Sequence, residues 1–411
     1  MTIAASGGGA RGNADAPATP PARPSTLVLI AMAAIGPAAL NIFIPSMPGL
    51  VREFQTDHAT VQLTLTLYLL GLAAAQLVYG PVSDRYGRRP VVLVGIALYV
   101  AGMLLALAAV SIEMLIAARV LQAVGGCVGL VIGRAIVRDV WPRDQAASVL
   151  GLVTAAMAVA PAIAPSLGGA LDGWLGWRAG FVLMAIAGAG VWLACLTHLP
   201  ETAPRQTQAA SIRGLARGYA TVLRSPVFLG YAGCSAFCAS AFFGFLAGAP
   251  FVVVEFLGHP PVVYGAAFAL ISIGYMVGNG MASRLSVRLG APRMVALGTS
   301  STVLGCALMV ALAASGQYGL FYLFVPMMLV AIGNGMLQPN AISAAVGIDP
   351  AYAGTAAGAA GCIQMILGGA ATQVVGLLHG DGGPLPMVSV MLTGAVIGAA
   401  FFWGVAKRAD R

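Results

Sequence analysis

Twelve long apolar runs, each long enough to cross a lipid bilayer, are the feature that most restricts how this chain can fold. A transmembrane helix needs roughly 20 consecutive, mainly apolar residues. The composition agrees, since 59% of the residues are apolar and only 8% are charged, whereas about 25% are charged in soluble proteins. We therefore predict an all-α polytopic membrane protein with twelve transmembrane helices, which begin near Ser25, Val61, Pro90, Ile112, Ala147, Arg178, Val227, Tyr264, Met294, Leu320, Ala351 and Pro386.

A polar segment over residues 200–226 divides the twelve runs into six and six. Tyr86-Gly87, after the second run, corresponds to Leu289-Gly290 after the eighth, at an offset of 203 residues that is close to half the chain. Two pseudo-symmetric six-helix bundles around a midplane site are typical of secondary transporters. We expect a disordered cytoplasmic tail over residues 1–25, an N-terminal bundle over 26–199, a cytoplasmic linker over 200–226, a C-terminal bundle over 227–407 and a short tail over 408–411.

The basic residues fall on one side of this predicted topology. Of the 21 Lys and Arg residues, 18 share a side with the N-terminus, whereas Arg52 and Arg178 lie on the other side and Arg119 lies within a run. Positive charge accumulates in cytoplasmic loops, so we expect both termini in the cytoplasm and the protein in a bacterial inner membrane. The net charge of +8 then reflects topology and not a nucleic-acid-binding face.

The sequence offers no set of residues for catalysis or for a cofactor. Its six cysteines lie in apolar runs without His at metal-ligand spacing, and its four histidines lie in loops or near helix ends. The only lysine is Lys407, so the chain lacks the Gly-Lys-Ser/Thr loop that binds nucleotide phosphates. We expect no enzyme activity, no metal, no cofactor and no nucleic-acid partner.

The segment between the second and third runs reads Gly80-Pro-Val-Ser-Asp84-Arg85-Tyr-Gly87-Arg88-Arg89-Pro90 and resembles the signature loop of the major facilitator superfamily. Gly80 would permit close helix approach, and Gly87 a tight turn. The resemblance implies that Asp84 faces the start of helix 11, at Asp349-Pro350, where a carboxylate meets the positive end of the helix dipole. We interpret this loop as a latch that closes the cytoplasmic side, formed by Gly80, Asp84, Arg85, Gly87 and Arg88; the alternative is a solvated turn that only fixes topology.

Arg119 lies within the fourth run, in the stretch Arg119-Val-Leu-Gln122-Ala-Val-Gly125-Gly126, which resembles the fourth-helix motif of the same superfamily. A charge at the centre of a membrane span costs about 2.5–3.5 kcal/mol on insertion scales. We therefore expect Arg119 to face a polar cavity with partners; the alternative is a side chain that extends to the outer interface. Gly125, Gly129 and Gly133 share one helix face and predict tight packing against a neighbouring helix.

The fifth run carries Pro161, Pro165, Gly168 and Gly169, which resemble the Gly-Pro motif of exporters in this superfamily. Proline weakens intrahelical hydrogen bonds, and the glycine pair admits a neighbour's backbone, so a bend that seals one side of the cavity is expected. At the first glycine of that motif this chain has Met157 or Ala156.

Longer stretches resemble one branch of the superfamily, the twelve-span drug:proton antiporters of the bicyclomycin/chloramphenicol-resistance (Bcr/CflA) type. The resemblance extends from about residue 26 to 408, and it is carried by Asn41–Pro48, Arg134–Asp139, Trp177–Phe181, Pro250–Glu255 and Ala353–Ala356. It implies export of small, drug-like molecules, with protons as the exchanged ion.

Proton exchange requires a titratable group in or beside the cavity. Members of this branch usually have an Asp in helix 1 where this chain has Asn41, and no carboxylate falls at mid-span. The guanidinium of Arg119 stays protonated and cannot carry the proton, although it can attract an anionic substrate. We predict that Arg119 and Asn41 shape a polar patch for substrate and that any proton coupling uses Asp84 or Glu255 near the mouths.

The remaining cavity is expected to be apolar with a few polar groups. The further candidates for contact with substrate are Gln122, Tyr68, Gln76, Phe237, Phe242, Phe243, Tyr275, Asn334, Gln338 and Gln364. We predict a monomeric secondary transporter whose partners are a small-molecule substrate, the lipid bilayer and, if it is coupled, protons. The alternatives are a facilitator or uptake carrier for a metabolite, favoured by Asn41, and more remotely a membrane-embedded enzyme.

Overall fold

The computed structural model describes residues 23–203, 212–347, 352–378 and 383–406, and this part of the chain holds 12 helices that are long and apolar enough to cross a membrane. Every predicted start lies within four residues of an observed one, so the all-α, twelve-span prediction is confirmed. The tails and Asp349-Pro350 lie largely or wholly outside the described residues. The spans are α1 (Thr26–Glu53), α2 (His58–Tyr86), α3 (Arg88–Leu107), α4 (Ile112–Val140), α5 (Arg143–Leu175), α6 (Arg178–His198), α7 (Pro226–Phe256), α8 (Pro261–Leu289), α9 (Ala291–Ala314), α10 (Leu320–Val346), α11 (Ala353–Leu377) and α12 (Leu385–Gly404).

Two glycines in equivalent places form the tight turns after α2 and α8. Gly87 has φ +94° and Gly290 has φ +77°, a region of backbone conformation that only glycine occupies without strain. The amide of each donates a hydrogen bond to the carbonyl four residues earlier, on Ser83 and Ser286 respectively. The predicted turn at Gly87 is therefore confirmed, and so is its counterpart in the second half.

The two halves repeat one packing scheme. In the first half α1 packs on α5, α2 on α4, α3 on α4 and α3 on α6; in the second α7 packs on α11, α8 on α10, α9 on α10 and α9 on α12. Each pair recurs six helices later, which confirms two pseudo-symmetric six-helix bundles. The halves meet mainly through α2 with α11 and α5 with α8, and a shift of six helices exchanges these two pairs as well.

The two ends of the molecule differ in charge. One end, named here the basic face, carries the exposed side chains of Arg85, Arg138, Arg284, Arg288 and Arg293. The other end, named here the acidic face, carries the exposed Glu53, Asp57, Glu113 and Glu255. α1 begins at the basic face and α12 ends there, because an even number of spans returns the chain to the side on which it started.

Glycines on α4 allow two helices to approach closely. A Cβ at Gly129 would overlap the carbonyl oxygen of Met32 on α1, and a Cβ at Gly125 would lie 2.6 Å from the carbonyl oxygen of Gly95 on α3. The expectation of tight packing was wrong for Gly133, where a Cβ would meet nothing within 4 Å. It was also wrong for Gly80, where a Cβ likewise would meet nothing within 4 Å in this conformation.

The segment between the halves contains a helix, Ile212–Arg224, named here the linker helix. Gly218 faces the ring of Tyr352 at the start of α11, and Val222 is buried in a cluster with Phe228. Arg217 and Arg224 remain exposed. The predicted polar linker is thus helical in this part and packs on the C-terminal half.

Candidate functional site

Arg119, on α4, is enclosed by the N-terminal half, with 0% of its surface exposed. Its Cζ lies 4.4 Å from the ring centroid of Phe43 on α1 and 4.3 Å from that of Tyr68 on α2. A desolvated cation–π contact of this kind contributes about 2 kcal/mol. The guanidinium is therefore held against two rings in the interior. The alternative of an arginine extended to the membrane surface was wrong, and the expected polar cavity is not open to Arg119 in this conformation, since its side chain is wholly enclosed.

Hydrogen bonds to one side of the guanidinium fix its position further. Nη1 donates to Oε1 of Gln122 at 2.9 Å and to the carbonyl oxygen of Ala39 at 3.3 Å. Gln122 is held in turn, since its Nε2 donates to the carbonyl oxygen of Gly102 at 3.0 Å. The spacing of three residues puts Arg119 and Gln122 on one helix face, so the structure brings these two predicted residues together with Tyr68.

Asn41 is buried on α1, near this cluster in sequence but not bonded to it. Its Nδ2 donates to the carbonyl oxygen of Pro37 at 2.8 Å, one helical turn earlier. Its Oδ1 is buried and has no hydrogen-bond partner among the described residues. Asn41 thus offers one free acceptor within the N-terminal half.

The predicted polar residues of the second half form a separate cluster. The hydroxyl of Ser235 on α7 donates to Oε1 of Gln338 on α10 at 2.6 Å, and Nε2 of Gln338 donates to Oδ1 of Asn334 at 3.2 Å. Asn334 donates to the carbonyl oxygen of Val330. All three side chains are buried, and the structure joins none of them to Arg119. Ser235 was not predicted, because a single serine in an apolar helix gives no signal of its own.

The other predicted contact residues occupy different surroundings. Phe237 stacks on Phe401 of α12 with ring centroids 5.5 Å apart, and Phe242 contacts both Phe243 and Phe268. Tyr275 is half-buried, and its carbonyl oxygen accepts from Asn279. Gln76 and Gln364 are half-buried, and Gln76 lies against Gly361 of α11, so of this group it is Gln76 that touches the opposing half.

Toward the acidic face, the two halves are joined by hydrogen bonds. The hydroxyls of Thr66 on α2 and Thr372 on α11 lie 2.8 Å apart, and Nε2 of Gln62 donates to the carbonyl oxygen of Ala247 on α7 at 2.6 Å. Between α5 and α8, the hydroxyl of Ser166 donates to the carbonyl oxygen of Gly265 at 2.9 Å. Sequence reasoning missed Thr66, Thr372 and Gln62, although each is a polar side chain in an apolar run.

Glycines bring the backbones of the halves into direct contact at the same level. A Cβ at Gly265 would lie 2.6 Å from Cα of Ser166, and a Cβ at Gly169 would lie 2.8 Å from Cα of Val262. A Cβ at Gly376 would lie 3.3 Å from Cα of Ala59. Gly169 therefore admits a neighbour's backbone as predicted, and Gly168 does the same for Ile42 of α1. Pro165 is buried beside Gly265, and Pro161 is half-buried.

An ion pair closes the rim of the acidic face. Nε2 of His58, at the start of α2, lies 2.8 Å from Oε2 of Glu255, at the end of α7. The ring of His58 also packs edge-on against Phe251, with centroids 5.1 Å apart. Glu255 therefore contributes a contact between the halves, at the outer rim where the sequence placed it.

At the basic face, the charged side chains of the signature loop bond within the N-terminal half. Arg88 donates to Asp139 at 2.9 Å, to Asp84 at 2.5 Å and to Ser83 at 2.6 Å. Glu201, which follows α6, accepts from the amides of Arg88 and Arg89 at the start of α3. Arg85 is exposed and lies over the ring of Tyr86. The described partner of Asp84 is thus Arg88, while Asp349-Pro350 lies outside the described residues.

The carboxylates of the spans lie near their ends. Among the described residues, Asp84 and Asp139 lie near the basic face, and Glu53, Glu113, Asp172 and Glu255 near the acidic face. The hydrogen bonds and the ion pair between the halves, given above, all lie toward the acidic face. The arrangement is a pair of bundles whose hydrogen bonds to each other lie toward one end, with one wholly buried cation, Arg119, and no mid-span acid in the described chain.

Comparison with known proteins gives consistent matches. The family model of the Major Facilitator Superfamily matches residues 29–372. Multidrug resistance protein D of Escherichia coli (strain K12) is 31% identical over 376 residues, covering 87% of this chain and 89% of that protein. A chloramphenicol resistance protein of Pseudomonas aeruginosa is 30% identical over 367 residues, covering 87% and 85%. A bacterial homologue of the human lysosomal transporter Spinster, solved in an inward-facing and unoccupied conformation, superposes with TM-score 0.76 at 16% identity, covering 94% and 97%.

Proposed function

Because this chain belongs to the Major Facilitator Superfamily, we propose that it is a secondary transporter that exports small, drug-like molecules from a bacterial cell by alternating access. Membership confirms the family indicated by the loop from Gly80 to Pro90. The drug-resistance relatives, which it matches over most of their length, are consistent with the branch indicated by the longer stretches. The protein is a multi-pass membrane protein of 12 spans.

One observation carries the proposal of alternating access, namely that the hydrogen bonds given above between the described parts of the two halves all lie toward the acidic face. Transporters of this architecture expose a midplane site to one side at a time by moving one half against the other. The contacts through Thr66, Gln62, Ser166 and His58 close one entrance. A second state, in which these contacts are broken, supplies the other entrance.

Orientation follows from charge. The basic face carries the exposed arginines of the loops after α2 and α8, and such charge is retained in the cytoplasm. We therefore assign the basic face and both termini to the cytoplasm, and the closed acidic face to the outside of the inner membrane. On this assignment the hydrogen-bonded end faces outward, as in the state in which an exporter collects its substrate from the cytoplasm.

The substrate is proposed to bind between the halves, near the buried polar residues of each. In the first half these are Arg119, Gln122 and Asn41, and in the second Asn334 and Gln338. Proton exchange, where it occurs, is assigned to Asp84 or Glu255, since the described mid-span region holds no carboxylate.

A second function, an uncoupled carrier for a metabolite, is favoured by Asn41, an amide that cannot release a proton. Inside-out membrane vesicles, with substrate supplied in the external medium, distinguish the two. An antiporter accumulates more substrate when the vesicle interior is acidified, because the outward-moving proton drives uptake. Accumulation that is equal with and without the pH gradient, while a protonophore also has no effect, would establish the carrier instead.

Export itself is tested by tolerance. A strain deprived of its own exporters is expected to tolerate higher concentrations of several compounds from a drug panel when it expresses this chain. Arg119→Ala should return tolerance to that of the empty vector, because the wholly buried cation of the proposed substrate site is removed. The matched control is Arg178→Ala, since Arg178 also lies over an aromatic ring, that of Trp177 at 4.2 Å, but at the outer rim.

Both variants are compared at equal amounts in the membrane, measured by immunoblot. Wild-type expression that leaves every tolerance unchanged counts against drug export. Equal losses in Arg119→Ala and Arg178→Ala would mean that the interior site is not the cause.

A further inference from the structure

One edge of the Arg119 guanidinium is hydrogen-bonded, and the other edge has no hydrogen-bond partner among the described residues. Nη1 bonds to Gln122 and to the carbonyl oxygen of Ala39. Nε and Nη2 are buried and have no hydrogen-bond partner among the described residues. An unpaired buried donor costs about 1–3 kcal/mol, and more when it is charged, so this edge is a costly feature of the interior.

The two free nitrogens form a fork. Nε–H and one N–H of Nη2 point the same way along one edge of the planar group, which is the geometry that binds both oxygens of a carboxylate. Lysine cannot reproduce it, because its ammonium is a single point charge. The rings of Phe43 and Tyr68 both lie against the guanidinium, which favours a partner that approaches its free edge in the plane.

The protein supplies no anion for this fork among its described residues. In the same half, Asp84 and Asp139 bond to Arg88 and Glu53 bonds to Arg178. Glu113 is exposed in the first turn of α4, and no ion pair joins Arg119 to Asp172, near the acidic end of α5. The positive charge of Arg119 is therefore uncompensated in a medium of low dielectric, where it attracts anions and repels cations.

The fork lies at the same depth as a contact between the halves. Tyr68, which covers one face of Arg119, is two residues from Thr66 and two from Leu70 along α2, or about 3 Å along the helix axis. Thr66 contacts Thr372, and Leu70 contacts Gly369, both on α11. Because residues two apart on a helix do not share a face, α2 itself stands between Tyr68 and α11, and a carboxylate that enters between the halves reaches the fork through movement of α2.

We propose that the free Nε/Nη2 edge of Arg119 binds the carboxylate of the transported molecule, so that this transporter selects aromatic or aliphatic anions over cations of the same shape. The inference rests on the proposed function, since it names the substrate class of that exporter. The expected selection depends on the two parallel donors of the fork and not on positive charge alone.

Three probes of one shape test the selection. 2-Naphthoate, 2-naphthamide and 2-naphthamidine share a ring system and carry a negative charge, no charge and a positive charge. With the purified full chain in detergent, naphthoate is expected to raise the thermal unfolding temperature in a saturable way, and the amide and amidine to leave it unchanged. Sodium chloride at the same concentrations should also leave it unchanged, which separates carboxylate binding from general anion binding.

Two variants test the fork. Arg119→Lys keeps the charge and Arg119→Gln removes it, and both are expected to weaken naphthoate binding about tenfold or more, because neither presents the two parallel donors. Binding is measured by calorimetric titration on protein that elutes as a single species in size exclusion. If a variant does not fold, the responses of the wild type to the three probes still show whether the site prefers the carboxylate.

Stabilisation by the amidine equal to that by naphthoate, a response to chloride alone, or full naphthoate affinity in Arg119→Lys would each overturn the inference. Its failure and that of the proposed function are separable. Naphthoate that binds without being transported in vesicles contradicts export and leaves the site intact. Export of neutral or cationic drugs without naphthoate binding supports export and refutes the fork.

Discussion

Transport is expected to stop when Thr66→Cys and Thr372→Cys are combined and oxidised, and to resume on reduction. The two hydroxyl oxygens lie 2.8 Å apart across the halves, so cysteine sulfurs in their places need little movement to reach bonding distance. A disulfide spans Cβ atoms about 3.5–4.5 Å apart and would hold α2 against α11. Since alternating access requires this contact to open, transport should fall in proportion to the cross-linked fraction.

A matched pair within one half controls for the chemistry. Sγ of Cys234 lies 3.3 Å from the hydroxyl oxygen of Thr299, both in the C-terminal half. Cys234 with Thr299→Cys, in a chain whose remaining cysteines are replaced by alanine, should cross-link without loss of transport. Full transport by protein that is cross-linked between residues 66 and 372 would exclude movement of these helices from the cycle.

Opposite effects on stability are expected from the same substitution at two glycines of α4. In Gly129→Ala, the new Cβ overlaps the carbonyl oxygen of Met32, and α1 and α4 must separate; overpacking of this kind costs about 1–3 kcal/mol. In Gly133→Ala, the Cβ meets nothing within 4 Å, while alanine favours the helix by up to about 1 kcal/mol over glycine.

Thermal unfolding of purified protein in detergent measures both changes. Gly129→Ala should unfold several degrees lower than the wild type or give little folded protein, and Gly133→Ala should unfold at the same temperature or higher. A stability of Gly129→Ala equal to that of the wild type would show that α1 and α4 are not packed as described.

The pair also shows the limit of sequence reasoning. The spacing of Gly125, Gly129 and Gly133 correctly predicts one helix face, but which of them touches a neighbour depends on where two helices cross. The apolar runs predict all twelve spans because length and composition suffice for this. They do not predict that Gly80 lies uncovered, since coverage there depends on the positions of whole halves.

Part of the candidate site could likewise be predicted from the sequence, and part could not. The cost of a buried charge predicts that Arg119 has partners, and its spacing to Gln122 identifies one of them. The covering rings come from α1 and α2 and depend on how three helices pack, so Phe43 was missed. Thr66 and Thr372 are 306 residues apart, and no local pattern links two threonines at that distance.

The glycine contacts between the halves have a consequence for the cell's energy supply. Because Gly169, Gly265 and Gly376 let backbone meet backbone, we expect these contacts to keep water, and the protons that move along it, out of the closed end. An idle transporter with such a seal does not short-circuit the electrochemical gradient of the membrane. We therefore expect side chains larger than hydrogen at these places to part the helices and to raise proton leakage through the protein.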